Sequence, residues 1–242
     1  MAGASVAGVS VAGAQGPASG DGGLADAKVA AAIAQARHVV LVLFDGLGNR
    51  QLDTLIPGGA IVHSRRTALR SVFPSSTAPA ITSFSTALFP AEHANPGWFC
   101  WSEATGSVVR TLPMDVRAAP DQLVTVDGLW DWRATSLQFG VPVVVYCQAR
   151  SGCRQAFESL ARDRLGHAFD LVPSGALVQA GWFGPGAVSP RLAGRIGTHT
   201  LIGRDRHTLV DRLPGEPEPA FIGMHGGIHP DELSVPLAAA CR

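Results

Sequence analysis

Short, uninterrupted apolar runs alternate along the chain with longer runs in which apolar residues recur every three or four positions. Residues 38–44 and 141–147 are continuous and β-branched, which is typical of strands buried on both faces of a parallel sheet. Further strands are predicted at residues 107–112, 168–172, 194–205 and 220–223, and helices at residues 25–34, 49–55, 127–139, 154–165 and 174–180. This alternation of strands and helices predicts an α/β fold.

Another helix is predicted to begin within residues 71–93, where a hydroxyl cluster precedes an amphipathic pattern. Apolar side chains recur at helical spacing at Ile81, Phe84 and Leu88, so they are expected on one buried face. Pro79 suits the first turn of a helix, where its missing N–H has no partner to lose. We therefore expect the helix to start close to Thr77.

Thr77 would then lie at a helix N-terminus, which is a favourable position for an anion. Free backbone N–H groups and the positive end of the helix dipole attract a phosphate there, and a hydroxyl in that field ionises more easily. Ser, Thr, Asn and Asp are also the common N-cap residues, so an ordinary cap is the alternative interpretation. The residues that accompany Thr77 therefore have to distinguish an anion site from an ordinary N-cap.

Two other polar residues follow predicted strands. Asp45 comes directly after the run at residues 38–44, and His225 lies in a glycine-lined loop at residues 224–227. Ligands and catalytic groups in open α/β sheets collect beyond the carboxyl ends of strands, although Asp45 taken alone is better interpreted as a turn or cap residue. A carboxylate, a hydroxyl and an imidazole so placed suit metal-assisted phosphoryl transfer.

Charge and composition restrict the class of protein. The 242 residues carry 19 basic and 19 acidic side chains, which argues against a nucleic-acid or anionic-membrane surface as partner. Lys28 is the only lysine and lies outside any glycine-rich loop, which excludes Walker-type nucleotide binding. No apolar run approaches the roughly 20 residues that span a bilayer.

The ends and the cysteines indicate a compartment and a domain organisation. Residues 1–27 are Ala/Gly/Ser-rich without a basic residue before Lys28, which indicates a disordered tail, with a degenerate signal peptide as the alternative. The four cysteines form no Cys-x-x-Cys pair and are too scattered for a disulfide scaffold, so we expect a reducing, cytoplasmic location. Residues 28–242 are expected to form a single domain.

Three segments carry a family resemblance. LVLFDGLGNRQLDTL, SVFPSSTAPAITSFSTALFPAEH and IGMHGGIHPDELSVPL resemble the signature blocks of the type I phosphodiesterase/nucleotide pyrophosphatase family of the alkaline phosphatase superfamily. The middle block is the most specific, since its Phe-Pro-Ser-x-Thr, the following proline, the helix and the final Pro-x-x-His all match together. The resemblance implies an alkaline phosphatase-like fold, with a mostly parallel central sheet and helices on both faces.

The resemblance also implies an activity and a site. It implies a metal-dependent hydrolase of phosphodiester or pyrophosphate bonds in small phosphate esters or nucleotides, working through a covalent threonine intermediate. Thr77 would be the nucleophile and a metal ligand, Asp45 would bind one of two divalent ions, typically zinc, and His225 would bind the other. His93 matches a helix-end histidine of the family that binds no metal.

The chain departs from the family between the predicted strand at residues 141–147 and Gly181. An Asp-x-x-x-His metal pair and a later Asp-His-Gly loop are absent in that context, as if an internal segment near residues 148–154 were missing. Asp163 and His167 have the right spacing, but a solvated helix face is the favoured interpretation of this pair, and the pair Asp205 and His207 matches less well. The alternative hypothesis is therefore an inactive or weakly active remnant without a full two-metal site.

Several questions stay open at the level of sequence. Serine-hydrolase chemistry is disfavoured because no G-x-S-x-G lies on a strand-to-helix elbow. The natural substrate and the oligomeric state are not encoded in these motifs. Sulfatase or phosphomutase chemistry on the same scaffold also remains open, because specificity lies in inserted segments and pocket walls.

Overall fold

The computed structural model of the chain describes residues 27–112, 115–118, 125–126, 130–135, 143–209 and 224–240. Its helices are α1 (Ala27–Gln35), α2 (Asn49–Leu55), α3 (Ala60–His63), α4 (Thr77–Thr86), α5 (Pro90–His93), α6 (Arg154–Leu165), α7 (Ser174–Gln179), α8 (Pro190–Ile196) and α9 (Pro230–Leu233). Its strands are β1 (Arg65–Arg70), β2 (Phe99–Ser102), β3 (Ser107–Arg110), β4 (Asp115–Ala118), β5 (Thr125–Val126), β6 (Trp130–Thr135), β7 (Val144–Ala149), β8 (Phe169–Pro173), β9 (His199–Gly203) and β10 (Ser234–Ala238). The predicted tail at residues 1–26 and the predicted strand at residues 220–223 lie outside the described residues.

The chain divides into two compact units. The larger unit contains residues 72–228, and the smaller unit is formed by residues 27–71 together with residues 229–240. In the smaller unit β1 pairs with β10 in an antiparallel two-stranded sheet. The larger unit contains the other eight described strands in one sheet, in the order β4-β3-β2-β6-β7-β9-β8, with β5 paired to β6.

The pairing of the described strands corrects the predicted sheet. Helices and strands are both present, as an α/β fold requires, but every pairing between these strands is antiparallel. The central strand β7 runs antiparallel to both of its neighbours, β6 and β9. The mostly parallel central sheet of an alkaline phosphatase-like fold is therefore not found in the described part of the chain.

One cause of this difference is β6, which lies where a helix was predicted at residues 127–139. The sequence Trp-Asp-Trp-Arg-Ala-Thr at residues 130–135 alternates apolar and polar residues with a period of two, which suits a strand rather than a helix. Once β6 is a strand, it pairs with β2 on one side and with β7 on the other. The helical prediction for residues 130–135 is wrong.

The core of the larger unit is built on both faces of β7. Val144 and Tyr146 pack in one cluster, while Val145 and Cys147 pack in another, because successive side chains of a strand point to opposite faces. Helices α7 and α8 contribute to the first cluster and α6 contributes to the second. The buried strand predicted at residues 141–147 is confirmed over residues 144–147, and helices cover both of its faces.

The run at residues 38–44 is a second correction. It forms neither a helix nor a strand in the structure, and Val39 to Phe44 are all more than half exposed. A strand buried on both faces needs neighbours on both sides. The two-stranded sheet of the smaller unit consists of β1 and β10 and does not include this run.

Helix α4 starts where the sequence predicted it, at Thr77, with Pro79 buried in its first turn. The predicted apolar face is only partly confirmed, because Ile81 is half-buried whereas Phe84 and Leu88 are exposed. Within the described ranges, none of the helices has both the length and the apolar character needed to cross a bilayer.

Candidate functional site

The segment before α4 is anchored by aromatic packing. Phe73 is buried, and its ring lies edge-on to the rings of Trp182 and Phe183, at centroid distances of 5.0 and 5.3 Å. Edge-to-face pairs of this kind add stability beyond the apolar area that they bury. The segment that leads into α4 is therefore held in a fixed position by the core.

Thr77 is the first helical residue of α4 and Ser76 is its N-cap residue. Ser76 has the extended backbone of an N-cap, with φ −113° and ψ 160°, but its side chain makes no capping hydrogen bond. Its hydroxyl is buried and has no hydrogen-bond partner in the described part of the chain. The interpretation of this hydroxyl cluster as an ordinary cap is thus not supported by the geometry at Ser76.

Two hydrogen bonds join the segment before Thr77 to the loop that carries His225. The Ser75 hydroxyl donates to the Gly227 carbonyl at 3.0 Å, and His225 Nδ1 lies 3.1 Å from the Ser75 carbonyl oxygen. Thr77 is half-buried in this arrangement. The structure therefore brings together the segments of two predicted site residues, Thr77 and His225, that are far apart in the chain.

The second of these bonds fixes the tautomer of His225. A carbonyl oxygen only accepts hydrogen bonds, so Nδ1 must carry the proton and Nε2 carries the lone pair of the neutral ring. A histidine that donates from one ring nitrogen to a carbonyl presents the other nitrogen in the form that binds metals. The orientation of His225 therefore suits the role that its sequence context predicts.

Asp45 belongs to the smaller unit, where it forms a turn with Gly46 ahead of α2. Gly46 has φ +69°, a conformation that glycine adopts without strain. Asp45 itself is exposed. This position agrees with the turn residue that was the alternative interpretation, and the metal-binding role of Asp45 stays a prediction.

The replacement ligand pairs considered from the sequence lie on the surface. Asp163 and His167 are both exposed, as expected for a solvated face of α6 and the turn after it. The rings of His167 and His207 are 6.4 Å apart, edge to face, and Asp205 is exposed. No group of three or more His, Cys, Asp or Glu side chains that could hold a metal occurs among the residues that the structure describes.

A histidine–carboxylate pair in the larger unit was not predicted from the sequence. His199 Nε2 lies 3.1 Å from Glu158 Oε1, and the His199 ring is fully buried. Hydrogen bonds from Arg154 and His199 lower the pKa of Glu158 to about 2, while burial lowers the pKa of His199. Because His199 is 1% exposed, no substrate reaches it, and the pair links α6 to β9.

His93 is held in a tautomer that rules out one catalytic role. The Asn95 backbone N–H donates to His93 Nδ1 at 3.0 Å, so in the neutral ring Nε2 carries the proton and donates to Ser83 Oγ at 3.0 Å. An imidazole that donates to a hydroxyl cannot take the proton from it. The pair Ser83 and His93 is therefore not a nucleophile and its base, and burial lowers the pKa of His93.

Comparison with known proteins gives no relative. No protein-family model, no curated protein and no solved structure matches the chain.

Proposed function

We propose that the chain hydrolyses phosphodiester or pyrophosphate bonds in small nucleotide-type esters, with Thr77 as the nucleophile. The observation that carries the proposal is the pair of hydrogen bonds that holds the His225 loop against Ser75, two residues before Thr77. A half-buried threonine at the start of a ten-residue helix, two residues after a carbonyl that orients an imidazole, is a suitable arrangement for attack on a phosphate.

The residues of this chain would act at successive stages of the reaction. The N–H groups of the first turn of α4 bind the anionic oxygens of the substrate, and the helix dipole stabilises their charge. Thr77 Oγ1 forms a bond to phosphorus as the bond to the leaving oxygen breaks, and the leaving group takes up a proton. Water then cleaves the Thr77–phosphorus bond and regenerates the hydroxyl.

The metal centre that the resemblance implies fits the described residues only in part. His225 has the orientation of a metal ligand, but no set of three ligands exists among the residues whose positions are described, and a structural or catalytic zinc takes about four ligands. A bound divalent ion would lower the pKa of the threonine hydroxyl and neutralise phosphate charge. Asp45 lies in the smaller unit and Thr77 and His225 in the larger unit, so a two-zinc site of these residues stays a proposal and no step above depends on one.

The same shortage of ligands favours a second candidate function. A remnant of such an enzyme would bind phosphate esters at the start of α4 without turning them over. This candidate predicts fewer than two zinc ions per purified chain. A metal count of two per chain together with Thr77-dependent turnover would exclude it.

The test is hydrolysis of bis(p-nitrophenyl) phosphate by the full chain, with and without added zinc. Thr77→Ala should lower the turnover rate by a factor of about 100 or more, because it removes the nucleophile itself. Thr86→Ala is the matched control, since Thr86 lies at the exposed end of the same helix, where its hydroxyl donates to the Thr82 carbonyl at 2.7 Å and accepts from the Leu88 N–H at 3.3 Å. Equal activity of wild type and Thr77→Ala would disprove the proposal.

A cytoplasmic location is part of the proposal. The three cysteines that the structure describes, Cys100, Cys147 and Cys153, are all free thiols, as a reducing compartment would maintain.

A further inference from the structure

The smaller unit carries an exposed apolar run, residues 39–44, with the sequence Val-Val-Leu-Val-Leu-Phe. Each of the six residues is at least 53% exposed, and Val40 reaches 87%. Single exposed apolar residues are ordinary on protein surfaces, but six in succession are not. Their surface totals on the order of 600 Å², which is at the upper end for the largest apolar patch on a monomer.

The backbone hydrogen-bonding groups of the run are also available to a partner. No backbone hydrogen bond joins residues 39–44 to the rest of the described chain. Val, Leu and Phe in an uninterrupted series have a strong preference for strands. An apolar segment with unpaired N–H and C=O groups is a template on which another strand can pair.

We infer that the run pairs antiparallel with the same run of a second copy of this chain, so that the protein is a dimer. Pairing about Leu41 places Val40 of one copy beside Val42 of the other, and Val39 beside Leu43. Val39 to Leu43 then each face an apolar residue of the other copy, and Phe44 faces His38. Such an interface is self-complementary, as a two-fold axis requires.

The charges at the two ends of the run select the direction of pairing. Arg37 precedes the run and Asp45 follows it, and both are exposed. Antiparallel pairing about Leu41 brings Arg37 of each copy opposite Asp45 of the other, whereas parallel pairing in register would place like charges side by side. Opposite charges across a strand pair are favourable and like charges are unfavourable.

The area is also appropriate to a second copy. A standard stable interface takes about 800 Å² from each partner, and the run alone offers most of that amount. Because each copy contributes the same run, the backbone groups of the two runs can pair with one another without a further component.

The experiment measures the mass of the full chain by light scattering over a range of concentrations. The wild type should reach twice the chain mass of 25.1 kDa. Val40→Lys and Val42→Glu should each lower the mass to that of one chain, because each places charges in the middle of the interface. Both positions are exposed, so the fold should be retained, which circular dichroism checks. Val188→Lys, at an exposed valine of the larger unit, is the matched control and should leave the dimer intact.

A pair of double variants tests the direction and register. Val40→Lys with Val42→Glu in the same chain should restore the dimer, because the introduced lysine of each copy would then face the introduced glutamate of the other, twice over. Val40→Lys with Val42→Lys should remain a monomer. A monomeric wild type at all concentrations would overturn the inference and would indicate a different protein as the partner of the run. Open-ended growth beyond two chains, or no restoration in the lysine–glutamate double variant, would overturn it as well.

Discussion

The junction between Ser75 and the loop at residues 225–227 can be tested by removing one hydroxyl. Ser75 is 8% exposed, and its Oγ donates to the carbonyl of the buried Gly227 at 3.0 Å. Ser75→Ala removes this donor and gives the buried carbonyl nothing in exchange. Loss of one partner from a buried hydrogen bond costs about 1–3 kcal/mol, so we expect a loss of about 1–2 kcal/mol in the free energy of unfolding.

Urea unfolding followed by tryptophan fluorescence measures this change. The five tryptophans all lie between residues 98 and 182, so their fluorescence reports on the larger unit. The midpoint should fall while the slope with urea concentration stays constant, because the exposed surface on unfolding is unchanged. Ser85→Ala is the control, since Ser85 is exposed on α4, and it should change the stability by no more than about 0.5 kcal/mol.

A double-mutant cycle with His225→Ala shows whether the two hydrogen bonds act as one junction. His225 contacts the backbone carbonyl of the same serine, so its loss should be coupled to the loss of the Ser75 hydroxyl by about 0.5 kcal/mol or more. If the two losses add to within about 0.3 kcal/mol, or if Ser75→Ala costs no more than the Ser85→Ala control, the reasoning is refuted.

Two further predictions concern the core and the pH dependence of stability. Phe183 is 1% exposed and packs against Phe73 and Tyr146. Phe183→Ala should therefore lower the free energy of unfolding of the larger unit by about 3–5 kcal/mol in the same urea assay. A loss below about 1 kcal/mol would contradict this packing. Acidification should destabilise the fold in two stages. Because the pKa of His199 is lowered in the fold, the unfolded chain takes up this proton first, and stability falls below about pH 6.5. Because the pKa of Glu158 is lowered to about 2, the contribution of its carboxylate to stability is present above about pH 4.5 and is lost as the pH falls from there towards 2. Glu158→Gln should remove the second stage, which is worth about 1 kcal/mol after allowance for solvent screening. Thermal melts of the wild type and of Glu158→Gln at a series of pH values measure this difference. The same acid dependence in both proteins would show that the assignment is wrong.

The local elements were largely predictable from the sequence because local signals determine them. Helix α4 begins at the predicted residue, since a hydroxyl cluster and Pro79 define its first turn. Helices α2 and α6 coincide with the predicted ranges, and β7 with most of its predicted run. Each of these rests on residue types within a dozen positions of one another.

The arrangement of the strands could not be read in the same way. A continuous apolar run is compatible with a buried strand, but only the presence of neighbours determines whether it is buried, and residues 38–44 lack them in the described structure. The direction of pairing likewise depends on β6, whose two-residue period covers only six residues within a range predicted as a helix. Both errors concern non-local contacts.

The candidate site was predictable only in outline. Thr77 and His225 were found from motifs, and the structure brings their segments together, but the contact runs through Ser75, whose sequence context gives no sign of that role. The pair of Glu158 and His199 was missed because the two residues are 41 positions apart and neither stands in a motif. Such contacts follow from the packing of α6 on the sheet rather than from spacing.

The bond between Ser75 and Gly227 spans 152 positions of the chain, which determines when the site can form. A ribosome releases the chain from its N-terminus at roughly 5–20 residues per second, so the segment around Thr77 exists for many seconds before its partner loop has been made. During that time the Ser75 carbonyl has no imidazole bonded to it. The two hydrogen bonds that join these segments therefore form only after the loop at residues 225–227 has been synthesised and has closed onto Ser75.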